Sequence, residues 1–422
     1  MIRPASVIQR VVAGPALVGL IALAGCTEDQ LTGVDPDSAP GGQASETVEI
    51  VLSAADLPAW TDTTYSGYAL PSTSGIRLVS NSADLESRVL VRFSTLPDSV
   101  FLDDQRIAVE RYDNASLRLV IDTLASTIPE AGAQLTAYSL TRGFDDREAS
   151  WSNAADGEPW TTPGGDLGQA LGTLEVASLE ADTVFLPFDV PSDSLLQAWF
   201  ADDGEPGLAL VAESGGTSLT FKQVVLAFDT KPVGRDTLLN TLRSPAPRTF
   251  IFDPETPPPG GVLRVGGLPA ARTYVNFRLP ESVQGVKLRG SRINRATLLL
   301  TSVGVPAAPF ATADTLLASG FSLLTDPIAF GPKTPVGSNF DTSAQIVPED
   351  MGDGGVLEIP VTNLIRLWAQ AEPDSMPDIN LGIRSLPEGD GLSFWEYGDV
   401  TDPVRAPRLR LLITPTTQFD LP

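Results

Sequence analysis

The stretch "RVLVRFSTL", residues 88–96, decides the fold. Val89, Val91 and Phe93 recur with period two, while Arg88 and Arg92 take alternate positions. That pattern places apolar side chains on one face of an extended chain and charge on the other. The segment "PRLRLLIT", residues 407–414, repeats it, with Leu409, Leu411 and Ile413 set against Arg408 and Arg410. Similar short runs lie at 47–52, 115–121, 134–140, 207–212, 218–228 and 296–301, bounded by Pro, Gly, Asn and Asp. Many short strands so punctuated predict an all-β sandwich. The 37 Gly and 36 Pro, against 19% charged residues, agree with a turn-rich chain.

Only two stretches read as helical. Asp193 to Phe200 sets Leu195, Leu196, Trp199 and Phe200 at three- and four-residue spacings behind Asp and Ser caps. Thr362 to Trp368 repeats the design, with Leu364, Leu367 and Trp368 on one side. Both belong to a larger internal repeat. Arg88–Phe93 lines up with Arg272–Phe277, and Ala115–Leu119 with Ala296–Leu300. "VFLPFDV" with Trp199 downstream matches "VLEIPVT" with Trp368 downstream. Leu208–Leu210 and Leu219–Phe221 match Leu381–Ile383 and Leu392–Phe394, and "VVLAF" at 224–228 matches "LRLLI" at 409–413. Anchors that keep one order predict two copies of one fold, divided within "TKPVGRDTLLNTLRSPAP" at 230–247. The expected domains are 47–232 and 233–418.

Ahead of them stands the lone cysteine of 422 residues. Arg3 and Arg10 precede an uncharged apolar run from Val11 to Ala24, followed by Gly25 and Cys26. This is the layout of a secretory signal, and the run falls short of the roughly 20 apolar residues that a spanning helix needs. Leu23-Ala24-Gly25-Cys26 resembles the lipobox of bacterial lipoproteins. That resemblance implies removal of residues 1–25, acylation of Cys26 and a bilayer as partner. Thr27 rather than Asp after the cysteine points, under the enterobacterial rule, to the outer membrane. Residues 26–46, polar and rich in Pro, Gly and Ser, read as a flexible acidic tether. A net charge of −25 argues against nucleic acid and against adsorption to anionic lipid, so the acyl chains must do the anchoring.

"RVLVRFSTLPDS", "NASLRLVI", "FDDREASW", "PWTTPGGD", "LLQAWF" and "VVLAFD" follow one another across 88–229. Their order is similar to that of DNRLRE domains, disaggregatase-related modules treated as carbohydrate-binding. "RTYVNFRLPES", "NRATLLLT", "TNLIRLWA" and "APRLRLLIT" carry the likeness into 272–415, without the "E...W" segment. Phe144 stands where the family has its first Trp, and Glu148 to Trp151 is one residue shorter than the family spacing. The resemblance implies two tandem jelly-roll-like β-sandwiches and a polysaccharide ligand.

The chain has no histidine. That removes Ser-His-Asp triads, an imidazole base and His-based metal sites. Glycoside cleavage needs only two carboxylates, for which Asp145, Asp146 and Glu148 beside Trp151 are the candidates. No cofactor is expected, although the acidic turns at 202–205 and 349–355 are compatible with structural calcium. Sugar binding calls for an exposed aromatic face with polar neighbours. Trp151 and Trp160, with Asn153 and Asp166, form one candidate loop. Trp395 and Tyr397 form another, because an inward Phe394 turns Trp395 outward by strand alternation. The expected function is therefore non-catalytic glycan binding by a lipid-anchored envelope protein. The alternatives are an envelope-structural or adhesive protein that binds other proteins, and a glycan-active enzyme. A protein-binding role predicts an exposed apolar patch.

Overall fold

The computed structural model describes residues 47–415 apart from 94–95, 200–206, 312–315, 338–341, 347–351 and 372–377. The signal, Cys26 and the tether lie outside the described residues. In the first half the strands are β1 (Val48–Ser53), β2 (Ala59–Ser66), β3 (Arg77–Asn81), β4 (Glu86–Val91), β5 (Ser99–Leu102), β6 (Gln105–Ile121) and β7 (Ala133–Leu140). They continue with β8 (Asn153–Ala155), β9 (Glu158–Pro159), β10 (Leu167–Val176), β11 (Thr183–Pro187), helix α1 (Ser192–Trp199), β12 (Leu208–Ala212) and β13 (Thr217–Pro232). The second half holds β14 (Leu239–Arg243), β15 (Arg248–Asp253), β16 (Val262–Gly266), β17 (Ala271–Arg278), β18 (Ser282–Val283), β19 (Val286–Lys287), β20 (Arg292–Gly304) and β21 (Leu316–Ser322). After them come α2 (Pro327–Phe330), β22 (Thr342–Ile346), β23 (Val356–Pro360), α3 (Thr362–Gln370), β24 (Ile379–Leu386), β25 (Phe394–Gly398) and β26 (Arg408–Thr414).

The all-β expectation holds: two curled antiparallel sheets form sandwich-like bodies with a few short helices. One runs β10-β7-β12-β4-β3-β13-β6-β11, the other β1-β26-β20-β25-β16-β17-β24-β21-β22. Alternation sets both cores. Val89, Val91 and Phe93 enter the first, and Leu409, Leu411 and Ile413 the second. Helix α1 buries Leu196 and Trp199, with Leu195 packed beside them. In α3 the face expected from Leu364, Leu367 and Trp368 is corrected. Ile365, Trp368 and Ala369 are buried and Leu367 is exposed, because the three- and four-residue spacings that reach the core start at Ile365.

Strand pairings correspond between the two halves, but the halves do not form two separate sheets. The β4 pairing with β12 in one sheet corresponds to β17 with β24 in the other, and β6 with β11 corresponds to β20 with β23. The first two strands of each half, however, sit in the opposite sheet. β1 lies along β26, and β2 along β17. Reciprocally, β14 lies along β13, and β15 along β4. Sheet membership thus crosses the 232/233 line in both directions. The exchanged strands carry core side chains with them: Ile50, Leu52 and Trp60 into the second core, Phe250 and Phe252 into the first.

Strand β2 also brings in an acid. Asp62 accepts from Trp60 Nε1 at 3.0 Å and from the Val400 amide at 3.3 Å. Burial, which outweighs both hydrogen bonds, raises its pKa above the ordinary carboxylate value.

Two outcomes follow. The connection 233–238 is exposed throughout, so a protease site inserted there will give two fragments that stay together on native size exclusion and melt in one transition; separable, individually folded fragments would contradict the exchange. For Asp62, the folded state keeps its proton to higher pH than the unfolded chain, so its contribution to stability falls as pH rises through the shifted pKa. The melting difference between Asp62→Asn and the wild type will move in favour of the variant between about pH 4 and pH 7, and a difference flat across that range would refute it.

Candidate functional site

Alternation along β4 leaves Leu90 on the face opposite the core, beside Ala209 and Val211 of β12 and Ile251 of β15. An apolar outer face of this kind must be covered. Residues 141–166 cover it, burying Phe144, Trp151, Ala154 and Trp160 against these side chains. Trp160 donates from Nε1 to the Ser150 carbonyl at 3.0 Å. The Arg88 guanidinium lies 4.9 Å from the Trp151 ring centre and donates to the Gly164 carbonyl at 2.9 Å. Gly164 has φ of +87°, and a Cβ there would stand 2.8 Å from both Arg88 Nη1 and the Trp151 ring. The backbone geometry and the close approach both require glycine.

The expected polar residues serve this cover. Asn153 belongs to the short β8–β9 hairpin and pairs with Pro159; its carbonyl accepts from Ser150 N and its own amide donates to Ser150 Oγ. Buried Asp166 accepts from the Thr162 amide at 3.0 Å. The three carboxylates considered for catalysis do not form one cluster of equivalent groups. Asp145 Oδ1 accepts from the amides of Arg147 and Glu148, and Glu148 Oε2 from the amide of Asp156. Two of them thus brace the loop's own turns.

The expectation of exposed aromatic faces is corrected at every tryptophan singled out. Trp151 and Trp160 are buried beneath their own loop, and Trp395 and Tyr397 are fully buried in the second core. The period in β25 is two as expected, but the phase is reversed. Phe394 and Glu396 point away from the second core; Phe394 joins the first core beside Phe310, with ring centres 5.3 Å apart. Arg264 lies over Phe394 at 4.0 Å and pairs with Glu396. Because the far side of β25 is covered too, an inward phenylalanine does not turn its neighbour to solvent. Of the acidic turns, 202–205 lies outside the described residues, and Asp353 of the other pairs with Arg405 at 2.7 Å. Among the described residues no group of three or more His, Cys, Asp or Glu is placed to hold a metal ion.

Two surface features remain that the sequence did not single out. A groove of about 210 Å³ lies where the 147–151 turn meets β15, lined by Trp151, Phe250, Phe252 and Pro71 with Arg147, Glu148 and Glu255. The second is the turn around α2. Leu324, Ile328, Phe330 and Val336 are all exposed on it, Leu324 by 68% and Phe330 by 62%. The turn is held both from within and from beneath: Asp326 Oδ1 caps the Ile328 amide at 2.8 Å and Leu324 N donates to the Pro335 carbonyl, while Tyr68 Oη donates to the Pro332 carbonyl at 2.7 Å. Only the Asp326-Pro327 cap signal was visible in the sequence.

Beneath that turn lies the second sheet's outer face, with Tyr274 and Phe321 buried and Tyr65 and Tyr68 packed against them. Arg272, the repeat partner of Arg88, stacks 3.9 Å over Tyr68 and pairs with Glu388 at 2.6 Å. The two copies thus place an arginine over an aromatic ring at matching positions, under different covers. Burial and the hydrogen bond with Tyr274 push the Tyr68 hydroxyl pKa up.

No family model matches the chain, and no curated protein does. Among solved structures, the C-terminal domain of the Streptococcus agalactiae AgI/II polypeptide BspA is similar over 79% of this chain and 100% of its own, at 11% identity and a TM-score of 0.16. A second structure named BspA_C_WT gives 76%, 100%, 11% and 0.14. Superpositions this poor carry no argument about fold or function.

Trp151 is a packing residue in this geometry, and its replacement tests that directly. Trp151→Ala will destabilise the chain by about 3–5 kcal/mol, the range for emptying a buried aromatic site, read by denaturant unfolding. An unchanged midpoint would return Trp151 to the role of an exposed ligand platform.

Proposed function

We propose that this chain is a non-catalytic adhesive or envelope-structural protein, and that the turn Leu324–Val336 is the surface through which it engages a partner protein. The observation that supports this reading is four exposed apolar side chains on one turn held by its own hydrogen bonds and by Tyr68. Apolar side chains held out to water by an ordered backbone lose solvation free energy that a partner's surface recovers, and the turn has little ordering entropy left to lose on docking. An acylated Cys26 would supply the membrane tether. Among the described residues no helix is long and apolar enough to cross a membrane.

Polysaccharide binding is the second reading. The groove beside Trp151 favours it, since an aromatic and proline lining with Arg147, Glu148 and Glu255 at its rim suits a ligand with apolar faces and hydroxyl edges. The likeness to DNRLRE modules points to the same ligand class.

The full chain, displayed on cells and compared with Leu324→Ser/Phe330→Ser, separates the two. Loss of about tenfold or more in binding to a partner protein, at unchanged melting temperature, is expected for a docking surface whose apolar anchors are removed. Binding that survives the double substitution, together with glycan-array binding abolished by Glu255→Ala, would replace the first reading with the second.

A further inference from the structure

Strand β13 lies between β3 and β6. Thr217–Phe221 pairs with β3 and the stretch from Phe221 with β6, and a shift in register between Phe221 and Gln223 leaves Lys222 out of both pairings. The sheet opens there into a cavity of about 100 Å³. Its wall carries Arg77, Lys222 and Arg248, the hydroxyl residues Ser74 and Ser244, and Gln223, with no carboxylate. Acids outnumber bases 53 to 28 in the chain, so an all-cationic wall runs against its composition.

Arg77 is the inner member, with 5% of its surface exposed. Its Nη1 donates to the carbonyls of Ser74 and Ile76, and the charge it feels is that of Arg248. Burial first, and that like charge second, hold its pKa down to about 10. Lys222 meets Asp122 at 3.3 Å. Arg118 donates to Gln223 Oε1 at 3.0 Å. A buried guanidinium facing another cation is unfavourable until an anion joins them, and a tetrahedral oxyanion matches the guanidinium's paired donors.

The second copy provides a comparison within the molecule. Between Tyr397 and Pro407 it has residues 398–406, where the first copy has only Lys222 and Gln223 between Phe221 and Val224. By register, the core residue Leu263 takes the place of Arg77, and Asp62 that of Arg248. The inserted segment closes onto Asp62 through the Val400 amide. One copy therefore fills this position with its own chain and an acid, and the other leaves it open and basic.

We propose that the cavity between β3, β13 and β15 binds a phosphate or sulfate group, with Arg77 holding it from inside and Lys222 and Arg248 at the mouth. The site stands apart from the apolar turn and the Trp151 groove, and requires neither a protein partner nor a neutral glycan.

Isothermal titration of the full chain in detergent, with inorganic phosphate and then sulfate at ionic strength held constant with chloride, tests it. Saturable binding and a raised melting temperature are expected. Lys222→Gln/Arg248→Gln will weaken binding by about tenfold or more, as loss of charge-assisted hydrogen bonds does, with the anion-free melting temperature unchanged. Arg77→Met should abolish binding; if that variant does not fold, the double variant decides. Glucose 6-phosphate and glucose 6-sulfate distinguish the source: competition with the inorganic ion assigns a group carried on a larger molecule, and its absence assigns the free ion. No saturable binding, or equal affinity in the double variant, overturns the proposal.

Discussion

The rest of the structure depends on the reciprocal placement of two strand pairs. Each sheet is completed by chain from the other half: β1 and β2 add to β26 and β17, β14 and β15 to β13 and β4. These strands contribute ladder hydrogen bonds and also buried side chains, such as Leu52 in one core and Phe250 in the other. Removing either pair would strip both a partner strand and core volume. Two sandwiches joined in this way share strands and core side chains in both directions, so cooperative unfolding of the pair is the expectation. No intrachain disulfide assists, since the sequence has a single cysteine.

A second consequence concerns the outer faces. Strands buried on the core side usually present polar residues outward. Here Leu90, Ala209 and Ile251 of one sheet and Tyr274 and Phe321 of the other are buried on the outside as well. Each face therefore needs a cover, and the two copies solve the problem differently. The first uses the Trp151–Trp160 loop, pinned by Arg88. The second uses tyrosines from the exchanged β2 region and the turn around α2, pinned by Arg272 and Tyr68. The groove beside Trp151 and the exposed apolar turn around α2 both belong to these covers.

The sequence shows clearly what is local. Alternation in "RVLVRFSTL" and "PRLRLLIT", the positions of α1 and α3, and the order of the repeat anchors all follow from side chains a few residues apart. Sheet membership is a different matter. Nothing in Val48–Ser53 says that its partner is Arg408–Thr414 rather than a strand of its own half, because many antiparallel pairings satisfy the same alternation. The tryptophans were misassigned for a related reason. Period two fixes which residues share a face, but which face is inward depends on the neighbours. For β25 both faces are covered, so Trp395 and Phe394 are buried alike. The basic cavity was invisible for a third reason: Arg77, Lys222 and Arg248 are scattered along the chain, and only the split in β13 and the exchanged β15 bring them to one wall.

Where two copies share a fold, the matching parts report on packing and the departures report on use. Val91 and Val275 hold matching places, as do Leu117 and Leu298, and all four lie in the cores. The register shift within β13 has its counterpart at the junction of β25 and β26, and there the copies part company: one fills the position with residues 399–406, the other leaves it open and lines it with cations. Packing alone would fill both openings, since an unfilled cavity forgoes dispersion contacts and a cluster of like charges adds repulsion. The closed copy demonstrates that the fold tolerates such filling. The open copy's cavity is therefore a departure that folding does not require, and its cations give that departure a chemical direction.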